Sequence, residues 1–366
     1  MQPFLTHDAR FTAILGPNPT LSLLHENHDY PFAHEAGVFI PRDNTLFITS
    51  NHLVNPATDT RRVQISKVSL DRTHDAVTVT ITELPSSSLP MGNGAVNSHN
   101  PDEAVLFCAQ GSLDLPSGLY RMSARDPHDV TPVLTDFYGR PFNSVNDVVV
   151  ARDGAVWFTD PVYGFMHRHR PQPKLPGQVY RYEPDSGAVR SLADGFIRPN
   201  GLCFSPDEKI MYVTDTARLH GNGVVDEGSP SSMYVSLIYT IRIHLHIYVC
   251  VCVCVCVCVC AMLINHSYAF DVIPYHGQPF LTNRRLFAMA PDGIPDGIKC
   301  DLDGNVYSGC GDGVTVWSPG GVLLGRILVE GGAANFCFGR DGELFILNEH
   351  RLWRAQLGVR GALLGI

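Results

Sequence analysis

Six times along the chain a polar residue opens an apolar run, the run turns at or near an Asp, and a second apolar run climbs back. The clearest copies cover 146–160 (Asn-Asp-Val-Val-Val-Ala-Arg-Asp-Gly-Ala-Val-Trp-Phe-Thr-Asp), 200–215 and 296–310. Looser copies open at Glu35, Asn93 and Asn335. Each reads as a β-hairpin, because a turn dipeptide between two β-prone runs is the short-range signature of one. Further strands fit between the hairpins at 77–82, 177–183 and 313–318. Six like units of four strands predict an all-β, six-bladed β-propeller around a central channel, one domain over 1–366. A β-sandwich would match the strand content but not the repetition. No long amphipathic stretch predicts a helix, and the 33 Gly and 26 Pro suit a turn-rich chain.

The units open at 35, 93, 146, 200, 296 and 335, so the successive intervals are 58, 53, 54, 96 and 39 residues. The long interval contains Val-Cys six times over at 249–260. A perfect two-residue repeat is what a GT dinucleotide run gives on translation, and 232–265 reads as a non-native, low-complexity insert. Residues 247–264 are 18 uncharged, mostly apolar positions, the minimum for a membrane span, but the β-branched alternation favours a strand. No membrane association is expected. The insert should fall between the fourth and fifth units and threaten blade closure. The other five cysteines (Cys108, Cys203, Cys300, Cys310, Cys337) are scattered singly and are expected as small buried hydrophobes.

In the three strict copies the opening residue lies seven positions before the turn Asp: Asn146 before Asp153, Asn200 before Asp207, Asp296 before Asp303. Glu35 is one position off, eight before Asp43. Equal register in a radial repeat means equal place in space, so Glu35, Asn146, Asn200 and Asp296 should ring one end of the channel. Converging carboxylates repel unless a cation neutralises them. All-oxygen donors suit a hard divalent ion, with Ca2+ first and Mg2+, Mn2+ or Zn2+ behind it. The alternative is that these Asn and Asp side chains cap local turns. A formal charge of −9, with no cluster of Lys and Arg, makes nucleic acid a poor partner.

Several strings resemble the SMP-30/gluconolactonase/LRE family of six-bladed propellers, most closely its fungal-type lactonohydrolase branch. They are Tyr-Pro-Phe-Ala-His-Glu-Ala-Gly at 30–37, Asn-Ser-Val-Asn-Asp-Val-Val at 143–149, Trp-Phe-Thr-Asp-Pro-Val-Tyr-Gly at 157–164, Arg-Pro-Asn-Gly-Leu at 198–202 and Gly-Ile-Pro-Asp-Gly-Ile-Lys at 293–299. The resemblance covers nearly the whole chain outside about 225–267. It implies one divalent metal in the channel and hydrolysis of the lactone of a sugar acid or related hydroxy acid. Glu35, Asn200 and Asp296 would be metal ligands, and Asn146 a fourth ligand or a substrate contact. Asp296 would also serve as general base. Where family members with an Arg-x-Asn substrate motif carry Arg, this chain has Ser144.

His99 and Tyr163 are candidate substrate contacts on loops, while His34 should point away from its strand neighbour Glu35. No Gly-x-Ser-x-Gly elbow, His-Glu-x-x-His or phosphate-binding Gly loop appears, which narrows ester hydrolysis to a metal route. Two other readings stand beside the lactonase: a non-catalytic binding propeller, and an inactive product of a mis-spliced gene. No secretory signal is visible, so the expected location is cytoplasmic, or secreted if the N-terminus is truncated.

Overall fold

A computed structural model describes residues 2–73, 76–85, 87–217 and 266–365. Its main sheets are six antiparallel blades around a channel, as the repeat predicts. The inner strands are Glu35–Ile40, Gly92–Asn97, Val148–Val150, Pro199–Phe204, Ile298–Cys300 and Asn335–Phe338. Each pairs antiparallel with the second strand of its blade, for example Val148–Val150 with Val156–Asp160 and Pro199–Phe204 with Ile210–Asp215. These strands are buried on both faces by neighbouring blades, which is why they read as continuous apolar runs rather than alternating ones.

The turns at the far end of the strict hairpins share one geometry. Gly154, Glu208 and Gly304 each donate a backbone hydrogen bond three residues back, at 2.9–3.1 Å, from a positive φ. Glycine adopts that conformation freely. The first blade differs by a bulge: Ala36 and Gly37 both have positive φ, and the pairing with Thr45–Thr49 slips between Ala36 and Val38. That extra residue accounts for Glu35 lying one position off the common register.

The core is a circle of clusters between adjacent blades. One packs Val105, Phe107 and Tyr120 against Val38, Phe47 and Ile65, and another packs Phe39, Leu46 and Ile48 against Phe345 and Leu347, joining the first blade to the last. The seam is also locked by hydrogen bonding. Thr20–Glu26 pairs with Arg351–Gln356 as the outermost strand of the last blade, and Phe4–Thr6 adds a fifth strand to the fifth blade. These N-terminal strands lack the hairpin signal, and the sequence reading did not include them.

The long interval lies elsewhere than expected. Asp215 and His266 are paired across adjacent strands, so the connection 218–265 lies inside the fourth blade, between its second and third strands. The blade is complete, with His266–Tyr275 and Gln278–Met289 as its outer strands. The Val-Cys tract and the insert assigned to 232–265 lie outside the described residues. Among the described residues the helices are Phe11–Leu15 and Tyr163–Met166, and none is long and apolar enough to cross a membrane. The five scattered cysteines are buried and free, with the Cys203 and Cys300 sulfurs 3.8 Å apart.

Candidate metal centre at the channel mouth

The residues that open the inner strands are held blade to blade through their backbones. Thr49 Oγ1 donates to the Asn93 carbonyl at 3.3 Å, Thr159 Oγ1 to the Asn200 carbonyl at 2.7 Å, and Thr214 Oγ1 to the Asp296 carbonyl at 2.8 Å. The Asn146 carbonyl accepts from Gly94 N–H at 2.9 Å. Each bond links one blade to the next, so these positions are fixed with respect to one another. The glycines of Pro-Asn-Gly and Pro-Asp-Gly permit the approach: a Cβ on Gly201 would lie 2.5 Å from the Asp296 carbonyl, and one on Gly297 would lie 2.3 Å from Asn335 Oδ1.

Glu35, Asn146 and Asn200 are only 4%, 4% and 7% exposed. Glu35 Oε2 accepts from Asn335 Nδ2 at 2.7 Å. Asp296 Oδ1, Asn146 Oδ1 and Asn93 Oδ1 are buried without a hydrogen-bond partner. Buried acceptors are normally satisfied, so three orphaned oxygens at one end of a channel require an explanation. Burial, and then the charge of Glu35, pushes the Asp296 carboxyl far above the usual carboxylate range. Glu35 is likewise raised, by burial and with a contribution from Asp147, against the opposing effect of His34. Paired carboxylates that resist ionisation, next to orphaned amide oxygens, form a donor set that fits a hard divalent cation.

Other side chains converge on the same end. His34 Nδ1 lies 2.6 Å from Glu349 Oε1, and Glu349 also accepts from Asn51 Nδ2. Burial works against a charged His34, but Glu349, Glu35 and Asp296 hold its pKa up at about 10. The contact found for His34 is with Glu349 and not with its neighbour Glu35. His34 precedes the strand that Glu35 opens, so strand alternation does not govern its direction. Asp147 is occupied structurally, accepting from Val148 N–H at 2.9 Å and from Leu202 N–H at 3.2 Å, with Lys299 Nζ at 3.9 Å.

Tyr163 lies at this mouth. Its hydroxyl bonds Thr216, its ring stacks on His167 with centroids 5.9 Å apart, and burial keeps the phenol protonated. His99 does not. It follows the far end of Gly92–Asn97, roughly 20 Å along the strand from Asn93. There it is exposed beside a cavity of about 340 Å³ that Val38, Phe39, Lys299 and Cys337 also line. Ser144 is buried, and its hydroxyl accepts from Gly164 N–H at 2.9 Å. The nearby buried guanidinium, Arg170, is engaged by the carbonyls of Ser112, Leu115, Phe142 and Asn143. The sequence reading missed Asn93, Asn335 and Glu349 as site residues. The first two open looser copies of the repeat, and that position was their signal.

The architecture defines a six-bladed propeller whose inner strands open on polar residues. Residues 27–220 match the SMP-30/Gluconolactonase/LRE-like region, and the chain belongs to that family. Among curated relatives, the lactonohydrolase oryL of Aspergillus oryzae is 27% identical over 96% of this chain and 73% of its own length. A gluconolactonase of Zymomonas mobilis is 29% identical over 61% of this chain and 53% of its own. The chain thus spans about three quarters of the first relative and about half of the second. A solved structure of a Xanthomonas campestris gluconolactonase superposes with a TM-score of 0.64 at 26% identity, covering 98% of this chain and 95% of that one.

Proposed function

We propose that the protein opens the ring of a small lactone, a sugar-acid lactone or a related cyclic ester, in a reaction that depends on a divalent cation, Ca2+ first. The support is the family, whose compared members carry the names lactonohydrolase and gluconolactonase, together with the donor ring. Glu35, Asn146, Asn200 and Asp296 would hold the ion, with Asn335 fixing Glu35. When bound, such an ion polarises the ester carbonyl and offsets the charge that develops on its oxygen.

The chain's own residues supply the remaining chemistry. With a cation beside it to favour its ionised form, Asp296 would use its unpartnered oxygen to accept a proton from the attacking water as the water oxygen bonds to the acyl carbon. The acyl–oxygen bond of the ring then breaks, and that proton passes to the departing alkoxide, giving the hydroxy acid. The positively charged His34, held by Glu349, favours negative charge at the mouth. Tyr163, protonated and held by Thr216, would donate a hydrogen bond to a substrate oxygen.

The observation that carries this reading is the pair of orphaned oxygens on Asp296 and Asn146 beside Glu35. A lactone panel on chelator-treated protein, before and after Ca2+ is restored, tests it. Loss of hydrolysis with the chelator and recovery with Ca2+ are expected. Hydrolysis indifferent both to chelation and to Asp296→Asn would overturn the mechanism.

A further inference from the structure

At the same mouth, but apart from the oxygen ring, three histidines meet. His52 follows the second strand of the first blade, and His167 and His169 follow the helix Tyr163–Met166 of the third. One imidazole nitrogen from each lies within 4.8 Å of the other two. The rings face edge to plane, with centroids 4.9 Å apart for His52 and His167 and 5.4 Å apart for His52 and His169. His169 is buried, and neither of its ring nitrogens has a hydrogen-bond partner. A buried imidazole with both nitrogens unpaired is costly unless something else occupies a lone pair.

We propose that His52, His167 and His169 form a second cation site, distinct from the oxygen ring, for a borderline d-block ion, with Zn2+ first. All three donors are imidazoles, which suit Zn2+, Co2+ or Ni2+ and not Ca2+. Tetrahedral Zn–N bonds of about 2.0–2.1 Å bring ligand nitrogens to about 3.3 Å, so the cluster closes by modest rotation of side chains on loops. Burial, and then the neighbouring imidazoles, disfavour the charged forms of His52 and His169, which leaves lone pairs available at neutral pH. The charged groups that act on them are Arg61 on both, His34 on His52 and Arg170 on His169. With three protein ligands the fourth position is open, and half-buried Arg61 favours an anion there, a hydroxide or a carboxylate. The ligands come from the first and third blades, so an ion would clamp two loops across the mouth.

The test is a Co2+ titration of the full chain, stripped by chelator, with its thiols alkylated beforehand because Cys250–Cys260 would otherwise bind the metal. Native protein is expected to bind one more equivalent than His52→Gln or His169→Gln, with visible ligand-field bands of a nitrogen-bound tetrahedral ion. It should also gain thermal stability with Zn2+, which the variants should not. Glu35→Gln should keep the bands, which separates this site from the oxygen ring. Circular dichroism and Ca2+ binding report that the variants are folded, and half-buried His52 is the milder substitution. Equal stoichiometry and spectra in native protein and both histidine variants, or loss of the bands in Glu35→Gln, would overturn the site.

Discussion

Glu35 and Asn335, separated by 300 positions in the chain, are joined by a hydrogen bond of 2.7 Å from Asn335 Nδ2 to Glu35 Oε2. The bond crosses the seam where the last inner strand meets the first, so it forms only when the propeller closes. Asn335 Oδ1 in turn accepts from Phe336 N–H at 2.8 Å, which fixes which end of the amide faces the carboxylate. Asn335→Ala strips the carboxylate of its donor and is expected to cost about 1–3 kcal/mol in denaturant unfolding of the metal-free protein. Ca2+ affinity should fall as well, since Glu35 is then free to turn. Unchanged stability and affinity would show that the bond contributes nothing to ring geometry.

The two ring carboxylates oppose each other, and the conflict has opposite consequences for stability and for activity. Burial and like charge raise both Glu35 and Asp296 above the usual range. Replacing Asp296 by Asn removes the repulsion while keeping the shape. The metal-free variant should be as stable as native protein or more so, by about 1 kcal/mol. Lactone hydrolysis should fall by about 100-fold or more, because base and ligand are lost together. A variant that is both less stable and fully active would contradict this assignment.

The blades and the shared register of three opening residues were legible in the sequence because a three-residue turn bond fixes the distance from each opening residue to its turn Asp. Asn146, Asn200 and Asp296 therefore share one register. Glu35 deviates by one because its strand bulges at Ala36 and Gly37, a backbone event that the residue count detects without explaining. Thr20–Glu26 was not legible, because an edge strand that pairs with residues more than 320 positions away carries no local signal. The His52, His167 and His169 cluster was hidden for the same reason. Its members come from loops of different blades, which only the closed ring brings together. His99 was misplaced because it follows the wrong end of its strand.

The histidine cluster gives the metal-free protein a defined acid sensitivity. His169 is held near pKa 3 by burial first and the neighbouring His167 second, against about 6.5 in an unfolded chain. Below pH 6.5 the unfolded state binds a proton that the folded state refuses, so stability falls as pH falls from about 6.5 towards 3. With each pH unit worth at most about 1.4 kcal/mol, a loss on the order of 2 kcal/mol is expected between pH 7 and 4.5. His169→Gln should flatten this part of the profile in chelator, as read by denaturant midpoints. An identical slope in native protein and variant would place the sensitivity elsewhere.

The fourth blade shows how the chain can carry its anomalous segment. Asp215 and His266 are strand partners, so the connection between Ala217 and His266 starts and ends at neighbouring points on the mouth side. Loop closure depends only weakly on length, and the blade holds its four strands on either side of the gap. Deleting 232–265 leaves the 14 residues 218–231 to bridge adjacent strands, which is ample. The shorter connection lowers the closure entropy by about 1 kcal/mol, so unfolding stability should hold or rise by that amount. Removing an uncharged, proline-free run of alternating β-branched residues should also reduce aggregation on expression. A cooperative transition that disappears on deletion would show instead that the fourth blade depends on the segment.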